Sequence, residues 1–514
     1  MADNHELSSP QSFTGIKRFT RNFNGTLLLS CALIALSQVN FGMEQGAFSG
    51  TQAMTAFTQR FGVLNATTKK YALEPYFLSL LNSLNYIGFA FGLVSGNYIS
   101  RRWGRRMCMF VMCFWALIAA TILVTSKSKA QMIVGRVIAY VYIGMELAVV
   151  PVLQSELVPA TVRGFVVGTY QSGLLIGQLI QALICRGTSN IPGDASWRIP
   201  LGVLYVVPCI IAGSVWFMPE SPRWLLMKDR PEDAMKSLRR LRLGKFTEDQ
   251  IQQEFNEFQS TINLTVTSNP QFKELFHGSN LRRTLIVIGV NVFLQITGQN
   301  FSSVYGTIFI KSLKTINPFT MTSINTAVNI FMVFVTQYLC DITGRVPLMV
   351  TGAIIQTGAL FSMGGLGTVA SPSLSIRTGI TTMVTIFGVG FQLGWAPLSH
   401  VVAAEIPTTQ LRDQTYALGS VFNIAIQFVV SFSVPYLLNA PYANLGSKVG
   451  FIFGSTAFLA IFFSYFCIPE CSGKSLEEID ELFLDGVPIK DFKKEGKRRY
   501  QAEAELHKDV TSLA

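Results

Sequence analysis

Twelve apolar runs divide this chain, near 27–50, 76–99, 107–125, 131–154, 164–185, 199–218, 284–310, 320–340, 347–368, 377–404, 415–438 and 448–468. At 1.5 Å per helical residue they are long enough to cross the roughly 30 Å of hydrocarbon in a bilayer. Backbone in lipid has no water to bond, so runs of this length must become helices that satisfy their own N–H and C=O groups. Composition agrees. Apolar residues make up 49% of the 514 and charged residues 14%, against about 25% charged in soluble domains. The expected fold is an all-α integral membrane bundle of twelve transmembrane helices in two six-helix halves. The halves, 27–218 and 284–468, are joined by a linker at 219–283 and flanked by tails at 1–26 and 469–514.

The net charge of +11 does not point to nucleic acid, because the basic residues fall in the short links and tails between apolar runs. Lys17, Arg18 and Arg21 precede the first run, Arg101, Arg102, Arg105 and Arg106 follow the second, and the 219–283 link is rich in Lys and Arg. By the positive-inside rule, both termini and that link are cytoplasmic in a multi-pass protein of the cell membrane. No cleavable signal peptide is visible, because 1–26 is polar and the first apolar run is a full span. The sequon Asn65-Ala66-Thr67 then lies outside, as a candidate glycosylation site. Within the linker, 231–258 has amphipathic spacing and i,i+4 charge pairs, which predicts short helices. The eight cysteines sit in or near apolar runs and read as reduced and structural. No phosphate-binding loop, metal cluster or nucleophile triad is present to indicate an enzyme.

The two halves repeat one another. Glu156 and Glu405 close the fourth and tenth runs at an offset of 249, Gly104-Arg105 and Gly344-Arg345 follow the second and eighth at 240, and Pro219-Glu220 and Pro469-Glu470 follow the sixth and twelfth at 250. Near-constant spacing indicates two parallel halves, the architecture of carriers that rock around a site between them.

The stretch from Asn40 to Gly50 places a carboxylate, Glu44, inside the first apolar run. A charge at that depth costs at least ~2.5 kcal/mol unless it faces a partner or a cavity. Gly42, Gly46 and Gly50 recur every fourth residue and leave a smooth face for a neighbouring helix. An acid buried in a membrane with a close-packing face beside it is the layout of a proton-coupled carrier.

The motifs GRVIAYVYIGMELAVVPVLQSELVPATVRG at 135–164, WRIP at 197–200, PESPRWL at 219–225, QITGQN at 295–300 and PECSGKSLEEIDELF at 469–483 resemble the sugar-porter family of the major facilitator superfamily. AAEIPTTQLRDQT at 403–415 looks most like its fungal members, including α-glucoside carriers. The resemblance implies the major facilitator fold and secondary active transport of a sugar or related polyhydroxylated solute. It also implies a monomer driven by a proton gradient and no other cofactor. Glu44 stands where proton-coupled members carry an acid, and Arg136 matches the arginine that pairs with it. Their positions in the first and fourth runs place both about 8–9 Å below the outer surface. Protonating the acid would free the arginine and bias the carrier toward another conformation; the alternative is a static ion pair that only joins two helices. Gln171, Gln295, Asn300, Asn329 and Asn423 match sugar-facing positions, where each amide offers both donors and an acceptor, with interhelical bonding as the alternative. Leu294, Val304, His400 and Ile424 depart from the family pattern and remove an amide and stacking area, so a plain hexose fits poorly. Phe391, Gln392 and Trp395 are candidate replacements. These departures keep open a non-sugar cargo such as a quinate-like acid, a polyol or a secondary metabolite, taken up or exported. A non-transporting nutrient sensor is a further alternative. Arg102, Arg105, Arg106, Glu156, Arg163 and Glu220, with Asp341, Arg345, Glu405, Arg412 and Glu470, match a cytoplasmic ion-pair gate that holds the halves closed inside. Glu146, ten residues past Arg136, has no matching acid in the family; a second proton site, a ligand for a cationic or polyol group and a partner for another polar residue stand as unranked alternatives.

Overall fold

The computed structural model describes residues 23–65, 69–267, 272–408, 410–472, 474 and 476–495. Eleven helical stretches of its described residues are long and apolar enough to cross a membrane. They are α1 (Gly25–Thr51), α2 (Pro75–Trp103), α3 (Arg105–Val124), α4 (Lys129–Leu157), α6 (Ala195–Phe217), α7 (Gly278–Ser303), α8 (Pro318–Thr343), α9 (Arg345–Leu366), α10 (Leu374–Glu405), α11 (Arg412–Leu438) and α12 (Val449–Cys467). A twelfth, α5 (Ala160–Thr188), is a 29-residue helix packed along α1. The helices start where their caps dictate. Asn24, Ser128, Asn317 and Ser373 each accept a first-turn N–H with the side chain, and Pro318 occupies the first turn of α8.

Large apolar side chains such as Val94, Phe114 and Phe331 point outward and more than half exposed. That is the reverse of a soluble protein and the surface a lipid solvent requires. Inside each half the helices close on small residues. A Cβ on Gly42 would meet the backbone carbonyl oxygen of Leu174 at 1.8 Å, so α1 and α5 could not touch there with any other residue.

The expected uninterrupted run over 284–310 is corrected. The helix ends at Ser303 and a separate helix, Gly306–Leu313, follows. Gly298 at φ +96° also bends the end of α7. α10 is interrupted in a different way, by a π-helical turn at Phe391–Trp395 that redirects its side chains.

Asn24 donates to the carbonyls of Arg240 and Leu243, which ties the start of α1 to the linker helix Pro231–Arg242. That helix packs on Pro222–Met227 and Glu248–Thr267 around a small apolar core of its own, including Trp224, Leu238 and Phe255. The face bearing the linker is called here the linker side, and the opposite face, which carries a short hairpin pairing Val63–Asn65 with Lys70–Ala72, the far side. The Asn65 backbone belongs to that hairpin, while its side chain and residues 66–68 lie outside the described set.

Candidate functional site

The repeat visible in sequence is a structural one. After α2, Gly104 at φ +106° turns the chain, and the Glu220 carboxylate accepts from the backbone N–H groups of Arg105 and Arg106. After α8, Gly344 at φ +96° does the same, and Glu470 accepts from the N–H groups of Arg345 and Val346. A Cβ on either glycine would fall within 2.6 Å of the capping carboxylate, so both the conformation and the contact require glycine. Each carboxylate caps the positive end of the following helix. Burial pushes the Glu220 carboxyl above the usual carboxylate range, opposed by the N–H groups of Ser221, Arg106 and Arg105 and by the charge of Arg106. Arg105 then grips Glu156 through Nε and Nη2 at 3.0 and 2.9 Å, and Arg345 reaches Glu405 at 2.9 Å.

The pairs Arg105–Glu156, Arg136–Glu44 and Arg345–Glu405 each join groups of the same half. Arg102 is exposed, Arg106 lies over the Trp216 ring, and two of the guanidinium nitrogens of Arg412 are buried without a hydrogen-bond partner among the described residues. The side chains of Arg163 and Asp341 lie outside the described set.

The halves are instead joined on the far side. Asn300 donates to Tyr86 Oη and Ser431 Oγ, Ser79 donates to the Phe432 carbonyl, Ser49 meets Thr307, and Lys311 Nζ donates to the Ala53 carbonyl. α5 packs on α8 and α2 on α11, the two equivalent seams of a repeated structure. Tyr86→Phe deletes the latch hydroxyl and leaves its ring. It is expected to weaken far-side closure by about 0.5–1.5 kcal/mol, a population shift of up to roughly tenfold. Distances between spin labels on the far ends of α2 and α11 measure that shift.

Between the halves lies a cavity of about 180 Å³. Gln171, Gln295, Asn329, Phe391 and His400 line it, and Gln392 joins them from the π turn. Gln171 and Asn329 hold no hydrogen bond to another described residue, and Gln295 Oε1 and Gln392 Oε1 are buried acceptors without a donor. An unmet buried acceptor costs about 1–3 kcal/mol, so these oxygens favour a ligand carrying O–H or N–H groups. The remaining candidates are placed differently. Asn300 spends its amide on the latch. Asn423 sits behind the wall, accepting from Gln295 at 3.2 Å and donating to Asn291 at 3.1 Å, which fixes the Gln295 side chain. Trp395 is fully buried against Phe293 instead of facing the cavity.

Sequence reasoning missed Gln45, Gln178, Gln299, Thr322, Asn325 and Gln427 in the cavity wall. A signal was present: Gln295 and Gln299, and Asn325 and Asn329, are i,i+4 pairs, and Gln171 and Gln178 are two turns apart, so each set shares one helix face.

Beside the cavity, Gln45 accepts from Gln178 while the preceding residue, Glu44, turns to α4. Glu44 Oε1 lies 3.2 Å from Arg136 Nη1, with the two side chains 7% and 2% exposed. The guanidinium also stacks over Phe48 at 3.8 Å and Tyr140 at 4.8 Å. Tyr140 packs edge-on against Tyr86, the latch residue. Ion pair, aromatic pair and latch are thus contiguous.

A two-halved bundle of membrane-spanning helices, with a polar cavity between the halves and repeated glycine-carboxylate turns on one face, is the build of a major facilitator carrier. The chain belongs to the family described as "Sugar (and other) transporter", whose model matches residues 30–483. It is 29% identical over 510 residues to the major facilitator-type transporter ecdD of Aspergillus rugulosus, covering 95% of this chain and 93% of that one. It is 28% identical to a low-affinity glucose transporter of Kluyveromyces lactis, covering 89% and 82%. It is 30% identical to the high glucose sensor RGT2 of Saccharomyces cerevisiae, covering 81% of this chain and 55% of the sensor. The inward-open conformation of the xylose transporter XylE from E. coli superposes with a TM-score of 0.72 at 20% identity, covering 89% and 99%.

Proposed function

We propose that this protein is a proton-coupled symporter of a sugar or related polyhydroxylated solute, working by alternating access in the cell membrane with both termini cytoplasmic. The single observation that carries the reading is the buried Glu44–Arg136 pair, which joins α1 to α4, touches the latch residue Tyr86 through Tyr140, and stands next to a cavity walled by amides. With the linker side cytoplasmic, far-side closure makes this the inward-facing state, and His400, exposed in the cavity, lies toward the cytoplasmic end of α10. Protonating Glu44 removes its charge from Arg136. The guanidinium, held then by Phe48 and Tyr140 alone, is free to shift, and Tyr140 carries that shift to Tyr86 and the latch. Solute hydroxyls bonding Gln171 in one half and donating to Gln295 and Gln392 in the other would draw the two halves together around the cavity.

A second reading, carriage of a non-sugar solute by the same machinery, draws on Leu294 and His400 in the cavity wall, where the family pattern has an amide and a stacking ring. Reconstituted protein offered labelled hexoses, disaccharides, polyols and cyclic hydroxy acids, with and without an imposed proton gradient, separates the two. Saturable uptake of a sugar that becomes concentrative only with the gradient is the expected result. Concentrative uptake confined to acids or polyols would favour the second reading, and concentrative uptake indifferent to the gradient would sink proton coupling.

A further inference from the structure

A second carboxyl lies deeper in the same half. Glu146 sits on α4 ten residues beyond Arg136, about 15 Å along the helix toward the linker side, and is fully buried. Unlike Glu44, it has no ion-pair partner among the described residues. Its Oε2 accepts from Tyr170 Oη at 2.9 Å, and its Oε1 has no hydrogen-bond partner. The groups around it are neutral. Tyr142, one turn back on α4, gives its hydroxyl to the Ser37 carbonyl of α1; α5 supplies Tyr170, and α2 packs its Gly92 and Gly96 face against Val141 and Met145. An ionised carboxylate in such a place would be uncompensated, and the usual outcome is that the group takes up a proton.

Two features connect this acid to its surroundings. On one side, Tyr170 is followed on α5 by Gln171, a residue of the cavity wall. In the other direction, Tyr142, one turn before Glu146, lines a void of about 10 Å³ together with Asn40 and Glu44, a space close to the size of one water.

We infer that Glu146 is a second proton-binding carboxyl of this carrier, exchanging its proton through the Tyr170 hydroxyl. In the loading step, a hydronium ion gives a proton to the Tyr170 oxygen and leaves as water, as Tyr170 passes its own proton to Glu146 Oε2. The phenol ends with one proton, and the carboxylate becomes the acid. The use of this proton in transport rests on the symport reading above; its presence does not.

Infrared difference spectra of the purified protein in liposomes, stepped from neutral to alkaline pH, test the inference. A carboxylic-acid carbonyl band is expected in the native protein and in Glu44→Gln, and is lost in Glu146→Gln. Tyr170→Phe, which keeps the ring, is expected to slow the relaxation of that band after a pH jump by about tenfold, the effect of one lost hydrogen bond on the transfer barrier. A purely structural acid would keep the native relaxation in Tyr170→Phe, and that result, or superimposable spectra for native protein and Glu146→Gln, would overturn the inference. The band present without proton-driven uptake of any solute of the panel sinks symport and leaves the proton site standing. Proton-driven uptake without the band does the reverse.

Discussion

Glu44→Gln is expected to abolish solute accumulation while leaving solute exchange in place. The amide has the shape of the protonated acid and never ionises, so the carrier is held in the state in which Arg136 has lost its counter-charge. Arg136 remains anchored over Phe48 and Tyr140, so the fold survives. In proteoliposomes with an imposed proton gradient, the ratio of internal to external solute should fall to unity, and solute addition should no longer make the medium alkaline. Counterflow of labelled against unlabelled solute, which needs no net proton movement, should continue. Accumulation that persists in this variant with normal alkalinisation would remove Glu44 from the coupling mechanism.

The fold was legible in the sequence because hydropathy in a membrane protein is a strong and redundant signal. Each span had to satisfy its own backbone, and each orienting cluster of arginines sat in a short link. The repeat was legible because Gly104 and Gly344 have a backbone conformation and a carboxylate contact that no other residue supports. The site was legible only in part. Sequence fixes which residues are polar but not the rotation of each helix about its axis. Asn300 and Asn423 therefore looked equivalent to Gln295, although one is consumed by Tyr86 and Ser431 and the other stands behind the wall. Trp395 was misplaced because the π turn at Phe391–Trp395 changes the register of exposed faces, and nothing in FQLGW announces an i to i+5 bond. Of the residues expected to form a gate, Arg105 and Arg345 each stay with the glutamate of their own half. Glu146 was visible as an anomaly, while its partner Tyr170 is 24 residues away on the next helix and has no motif to mark it.

The second large effect concerns stability, and it separates the two readings of the ion pair. Arg136→Met removes a fully buried guanidinium and leaves Glu44 without its partner, which is expected to cost about 3–5 kcal/mol. In detergent this should appear as a marked fall in the thermal unfolding midpoint. The double variant Glu44→Gln, Arg136→Met replaces the pair with a neutral amide and an apolar chain of similar length, and should recover most of that loss, since a buried pair exchanged for neutral groups of similar volume is often neutral in stability. If the pair only held α1 to α4, restoring stability would restore transport driven by the proton gradient. If the pair is the coupling device, the double variant is stable, exchanges solute and accumulates none. The thermodynamic cycle over native protein, two single variants and the double variant gives the interaction energy directly, and the accumulation assay on the same four proteins shows whether that energy is spent on joining helices or on moving a proton.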